Sequence, residues 1–194
     1  MNRSSTVWRQ LVMAVCLVAA IAGCTSTTRE WQEEVQLSDG TVLDVHRTIR
    51  FEKASGAIGQ PRGDDWICDG EDLSFVEPGT GQVIEWSGHR RTAALLDHID
   101  GQYIIVAAQT RCEFEDRGQP LWMVYVLTPT GWETGSTTAL SNKRAPNFAL
   151  DSRGYSKTKG WSRLTIEQKP QLDAASRISR ELKAIDVNDP TKCL

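Results

Sequence analysis

EVQLSDGTVLDVHRTIRF, residues 34–51, sets the fold class. Apolar residues alternate with polar ones on both sides of Asp39-Gly40: Val35 and Leu37 before it, Leu43 and Val45 after it. Asp-Gly between two alternating runs is the strongest short signal of a β-hairpin. Both central turn residues must accept positive φ, and these two types do so at least cost. The first strand is expected over Glu34-Val35-Gln36-Leu37. The second is expected from Val42 to Arg47, extended by Thr48-Ile49-Arg50-Phe51.

The same grammar recurs three times. Leu73-Ser74-Phe75-Val76 and Val83-Ile84-Glu85-Trp86 flank Pro78-Gly79-Thr80-Gly81. Residues 93–99 and 102–108 flank Asp100-Gly101, and residues 122–127 and 132–134 flank Thr128-Pro129-Thr130-Gly131. Each hairpin is expected to bury one face and present the other. Residues 54–63 form a Gly-, Ser- and Pro-rich loop, 64–72 an acidic stretch, and 139–160 an irregular one. Leu172, Ala175, Ile178, Leu182 and Ile185 recur at steps of three and four, a helical period, with Pro170 at its start where proline is tolerated. A short helix is expected over 171–184, with Ile178, Leu182 and Ile185 on the sheet. The fold class is therefore mainly β: an antiparallel meander of hairpins, as a sandwich or partly closed barrel, with a short C-terminal helix. A small β-propeller is the alternative. It needs at least four blades of about 40 residues each, and no internal repeat decides the matter.

The N-terminus speaks of location. Arg3 and Arg9 precede residues 11–22, which carry no charge and are too few to cross a bilayer. Basic tag, apolar run and small residues in that order make a secretory signal. Its end, Ile21-Ala22-Gly23-Cys24, resembles the lipobox of bacterial lipoprotein precursors, with Ile21 where Leu is commoner. The resemblance implies cleavage between Gly23 and Cys24, diacylglycerol on the Cys24 thiol and a further acyl chain such as palmitate on its new amine. Several acyl chains hold a protein firmly where one holds weakly. Thr25 after the cysteine, rather than Asp, implies the outer membrane, the inner membrane being the alternative. Residues 1–23 are thus the expected signal peptide, 24–30 a lipidated cysteine and polar tether, and 31–194 a single periplasmic domain. The strings EEV-x-L-x-DG (33–40) and PGTG (78–81) are similar to those of uncharacterised small envelope lipoproteins of Gram-negative bacteria.

Loss of the leader would leave 171 residues and, with two arginines gone, 20 basic against 25 acidic side chains, a net charge of −5. That excludes a nucleic-acid binder and gives no attraction to anionic lipid. The mixed charges are expected on a solvated surface. Cys68, Cys112 and Cys193 remain for the folded domain. Export favours oxidation of paired thiols, and the polar, Pro-broken C-terminus would fray if free. Cys112–Cys193 is the expected staple, with Cys68–Cys112 second.

Catalytic groupings are weak. Asp64, Asp65, Asp69, Glu71 and Asp72 miss the EF-hand spacing. His46, His89 and His98 stand in no zinc motif. Asp97 and His98, adjacent on a strand, should point to opposite faces. Neither Ser141 nor Ser152 lies in a nucleophile elbow, and Gly79-Thr80-Gly81 lacks the lysine of a phosphate loop. No metal and no cofactor beyond the covalent lipid are expected. Of Trp31, Trp66, Trp86, Trp122, Trp132 and Trp161, Trp86 and Trp122 lie in apolar strands as core. Trp66, Trp132 and Trp161 lie at loop or turn edges, where aromatics give binding modules cheap contact area. The functional expectation is a non-catalytic binding or support module of the envelope, with a protein partner. The alternatives are an immunity lipoprotein against a basic toxin delivered to the periplasm, or a polysaccharide hydrolase drawing two carboxylates from Glu85, Glu113, Glu115 and Asp116.

Overall fold

The computed structural model describes residues 26–53, 66–109, 122–136, 145–149 and 160–170, with side chains for all of these but Lys53, Trp66 and Ile67. The strands among them are β1 (Ser26–Gln36), β2 (Val42–Lys53), β3 (Trp66–Val76), β4 (Val83–His89), β5 (Arg91–Ile99), β6 (Gln102–Gln109), β7 (Trp122–Thr128), β8 (Gly131–Thr134) and β9 (Arg163–Leu164). They make a five-stranded sheet in the order β4-β3-β2-β1-β9 and a four-stranded sheet in the order β5-β6-β7-β8. All neighbours are antiparallel except β1 and β9.

The protein is mainly β and sandwich-like. The sheets do not close into a barrel, and they do not form propeller blades. The expected helix over 171–184 lies outside the described residues.

All four expected turns are present. At the first, the Gly40 amide donates to Leu37 O at 3.1 Å and the Leu37 amide to Thr41 O at 2.8 Å. At the third, Asp100 and Gly101 both have positive φ, 51° and 79°, as a tight two-residue hairpin demands. Antiparallel pairing puts all four turns at one end of the sandwich. The Ser38 amide donates to Asp97 Oδ1 at 2.9 Å, tying the two sheets there. The chain passes from one sheet to the other at Arg90, which has φ 53° and donates its amide to Asp69 O at 2.8 Å.

One core lies between the sheets. Val35, Leu43, Val45, Leu73, Phe75, Ile84 and Trp86 of the larger sheet meet Ala93, Leu96, Tyr103, Ile105 and Ala107 of the smaller. Phe75 meets the Tyr103 ring edge-on at 5.1 Å, and Trp86 meets Tyr125 at 5.5 Å.

Several expectations need correction. The smaller sheet buries its other face too, through Ala94, Leu95, Ile104, Val106, Ala108, Trp122 and Val124. The third hairpin therefore does not present a solvent face, which fits its unbroken apolar run at 103–108. Residues 66–72, expected in an acidic loop, are strand: β3 starts at Trp66, with Asp69 bulged out between Gly70 opposite Arg50 and Cys68 opposite Phe51. Strand β1 starts at Ser26, so residues expected in a polar tether pair with β2, Ser26 opposite Glu52. Twelve residues of β2 give them a backbone ladder that their side chains do not advertise.

Gly88 on β4 leaves room for the neighbouring indole, since a Cβ there would lie 2.3 Å from the Trp86 ring. Replacing Gly88 by Ala should force the indole off its packed rotamer and cost about 1–3 kcal/mol. Urea unfolding followed by tryptophan fluorescence measures this; an unchanged midpoint would show that the core can repack.

Candidate functional site

Two polar assemblies are built on the larger sheet, one inside and one outside. The inner one follows from strand register. Glu33 shares the inward phase of Trp31 and Val35 on β1, Arg47 that of Val45 and Ile49 on β2, and Glu71 that of Leu73 and Phe75 on β3. All three charged side chains are completely buried. This overturns the expectation that the charges lie on a solvated surface.

The buried guanidinium is the hub. Arg47 Nη1 donates to Glu33 Oε2 at 2.6 Å and to Ala149 O at 3.1 Å, and Nε donates to Glu71 Oε1 at 2.5 Å. Its carbon lies 5.0 Å from the Trp31 ring centre and 4.7 Å from that of Phe148. Lys169 Nζ sits 2.8 Å from Glu33 Oε1. The Trp31 indole and the Ala149 amide also donate to Glu33, and the Ala93 amide donates to Glu71 at 2.9 Å. Arg47 Nη2 has no hydrogen-bond partner among the described residues, so there the guanidinium's burial is incompletely compensated.

The two carboxylates shift in opposite directions. Burial opposes ionisation of Glu33, but the Arg47 and Lys169 charges outweigh it and hold the carboxyl below its ordinary value. For Glu71 burial is the largest influence and wins, so its carboxyl is pushed up despite Arg47. Arg47 stays charged: burial opposes its proton, and the carboxylates of Glu71 and Glu33 more than restore it. Arg47 thus pairs two fully buried acids, and Lys169, itself 12 % exposed, reaches Glu33 from the rim of the cluster.

The outer assembly is a groove of about 430 Å³ across β2, β3 and β4, lined by His46, Thr48, Asp72, Leu73, Ser74, Glu85, Trp86 and Ser87. Its floor is two cross-strand rows, His46–Ser74–Glu85 and Thr48–Asp72–Ser87. His46 Nε2 stands 3.9 Å from Glu30 Oε2. Asp72 is held by the Arg50 guanidinium and by Ser87 Oγ at 2.5 Å. The rows offer an imidazole, three hydroxyls and two carboxylates to hydrogen-bond a polar surface. Glu85 has a second carboxylate near it in Asp72, but Arg50 and Ser87 already occupy that one. Glu113, Glu115 and Asp116, the other expected hydrolase acids, lie outside the described residues.

The remaining expected site residues are dispersed. Trp132 donates its indole N–H to Glu85 O at 2.7 Å, covering the β4 edge. Trp161 packs edge-on to Trp31 at 5.6 Å, beside β9 at the opposite edge of the sheet. Trp66 lies on β3 opposite Lys53. Trp132 and Trp161 therefore do not form one binding surface, and each is engaged within the fold. Trp86 and Trp122 are core. Glu71 points into the core and Asp72 to the outer groove, so the acidic stretch does not converge on a cation; Asp64 and Asp65 lie outside the described residues. No group of three or more His, Cys, Asp or Glu that could hold a metal ion occurs among the described residues. Asp97 is buried, and the His98 ring tilts over Tyr103 at 4.7 Å.

Cys24, Cys112 and Cys193 also lie outside the described residues. Cys68 is a buried free thiol, 3.5 Å from Thr92 Oγ1, and burial pushes it up to about 11. No disulfide occurs among the described residues.

Sequence reasoning missed the inner cluster, although the signal was there: one charged residue in the inward phase of each of three neighbouring strands. It also missed Asn147, whose amide donates to Leu96 O at 2.6 Å and to Gln36 O at 3.0 Å and accepts from the Leu96 amide at 2.9 Å. No sequence pattern marks that clip. No family model, no curated protein and no solved structure matches the chain.

Removing Arg47 as Arg47→Met strands Glu71 in the core, leaves Glu33 to Lys169 alone, and should cost about 3–5 kcal/mol. Replacing Glu33, Arg47 and Glu71 together by apolar residues of similar volume should recover part of that loss in urea unfolding, the remainder reflecting Lys169 and the Trp31, Ala93 and Ala149 donors left without carboxylate acceptors. The pH dependence has a definite sign. Glu33, ordinarily near 4.5, is lowered in the folded state. Its stabilisation is therefore full above that value and is lost as pH falls through the folded value. Glu71, shifted up, acts oppositely: its ionised form costs stability, and acid relieves the cost. Glu33→Gln should flatten the acid limb of a stability–pH curve, and Glu71→Gln should steepen it. Cys68 should resist iodoacetamide at about pH 8 in the native state and react on unfolding, which mass spectrometry reads directly.

Proposed function

We propose that this chain is a lipid-anchored envelope protein, facing the periplasm from the outer membrane, whose β-sandwich is a non-catalytic binding or support module. The observation that carries the binding half is the outer face of the larger sheet. It combines an open groove with two hydrogen-bonding rows and large apolar side chains left exposed beside it. Such a combination suits a protein surface.

The anchoring half rests on the leader and its Gly23-Cys24 junction. Strand β1 already includes Ser26, two residues after the expected lipid at Cys24. The sandwich would then stand directly on the headgroups, with diacylglycerol and an N-linked acyl chain as its only added groups. The inner membrane is the alternative address.

An immunity lipoprotein is the second reading. It is favoured by the turn end of the sandwich, where Asp39, Glu77, Asp100 and Glu133 occur with no Lys or Arg in residues 37–43, 76–83, 98–103 or 127–133. A basic toxin would be steered to that end.

The anchor is tested by Cys24→Ser and by globomycin. The wild type should float with membranes and carry acyl mass on its N-terminal residue. The variant should become soluble, and globomycin should leave the precursor uncut. A bare thiol at Cys24, or processing indifferent to globomycin, would remove the anchoring reading.

A further inference from the structure

The large apolar side chains standing exposed among the described residues are Val42, Val76 and Val83, at 49, 56 and 58 %. They are not scattered. Val76 and Val83 face each other across β3 and β4, and Val42 opens β2. Their alternation with Leu43, Phe75 and Ile84 of the core puts all three on the outer face, at the turn end, continuous with the groove through Ser74 and Glu85. Strand propensity explains why valines stand in strands. It does not explain why one corner of a solvent face holds three of them.

The surroundings of that corner select the occupant. Asp39 and Glu77 both lie close enough to the Tyr103 hydroxyl to raise it, behind burial as the first cause. Asp39 accepts from the Thr41 amide, and Glu77 from Thr80 Oγ1 at 2.5 Å. No salt bridge to Lys or Arg is made by either acid, or by Asp100 or Glu133, among the described residues. A second copy of this chain would bring like charges together. An anionic leaflet would be repelled, and the turn end lies the length of β1, roughly 33 Å, from Ser26 and the expected anchor.

We infer that the Val42–Val76–Val83 corner and its acidic turns dock a protein presenting an apolar centre ringed by Lys and Arg. This rests on the binding-module reading and adds the place and the chemistry of the partner. The valines supply the dry centre of the interface and the acids its steering rim.

Site-specific photocrosslinking in cells tests it. Benzoylphenylalanine is placed in the full-length chain at Val83, at Ser87 in the groove and at Ser162 beside β9, and adducts are identified by mass spectrometry. Val83 should give one protein adduct of basic charge that Ser162 does not give. With that protein purified, Val83→Asp and the pair Asp39→Lys, Glu77→Lys should each weaken binding about tenfold or more, while a cooperative thermal unfolding transition shows that each variant is still folded. Added salt should weaken the wild-type complex and leave the charge-reversed one little affected. An adduct from Ser87 or Ser162 but none from Val83 would overturn the docking surface and leave the binding module standing. No adduct from any position would remove both. A self-adduct, a lipid adduct, or a partner indifferent to the charge reversals would overturn the inference.

Discussion

A guanidinium held between two rings and two carboxylates governs how the first three strands can assemble. Arg47 cannot be buried alone, because an unpaired charge in the core costs several kcal/mol. It can be buried only if β1 brings Glu33, β3 brings Glu71, and Ala149 turns its carbonyl inward. A one-residue slip of any of these strands would move its charged member to the outer face and leave the others unmatched. The cluster therefore acts as a register lock on an otherwise generic set of apolar strands. Lys169 joins it at Glu33 and donates to Asn147 O at 2.5 Å, extending the lock to chain segments far apart in sequence.

The same logic runs between the sheets. Apolar burial holds them face to face but is non-directional. Their relative placement is set by polar ties: Glu71 to the Ala93 amide, Asp97 to the Ser38 amide, Trp132 to Glu85 O, and Asn147 to both Gln36 and Leu96. The extra residue at Ala94 in β5 turns a carbonyl outward to take the amides of Asn147 and Phe148. Each tie satisfies a backbone group that the strand ladders leave over, so the inter-sheet contact meets hydrogen-bonding demands as well as hydrophobic ones.

This inward commitment of charge shapes what is left for function. The fully buried ionisable groups of the cluster are engaged with one another, and the outer face keeps hydroxyls, an imidazole, the carboxylates of Asp72 and Glu85 and exposed valines. The strand geometry adds direction. The four turns gather at one end and Ser26 lies at the other, so an anchor at Cys24 and a docking surface at the turns would share one axis through a stiff sheet.

The turns and the fold class can be read directly from neighbouring residues in the chain. Asp39-Gly40, Pro78-Gly79-Thr80-Gly81, Asp100-Gly101 and Thr128-Pro129-Thr130-Gly131 fix local backbone geometry, and alternation fixes which residues of the hairpins face the core. Trp86 and Trp122 were legible as core for the same local reason. Features that depend on distant partners emerge only on folding. Residues 26–30 look like solvated linker until β2 lies beside them, and residues 66–72 look like an acidic loop until a bulge at Asp69 and the Arg47 charge make room for Glu71. The groove is likewise invisible in the chain, since its two rows join residues from three strands. Turn chemistry is short-range and is written in adjacent residues. Burial of a charge is settled by the counter-charge it meets, and that meeting exists only once the strands have paired.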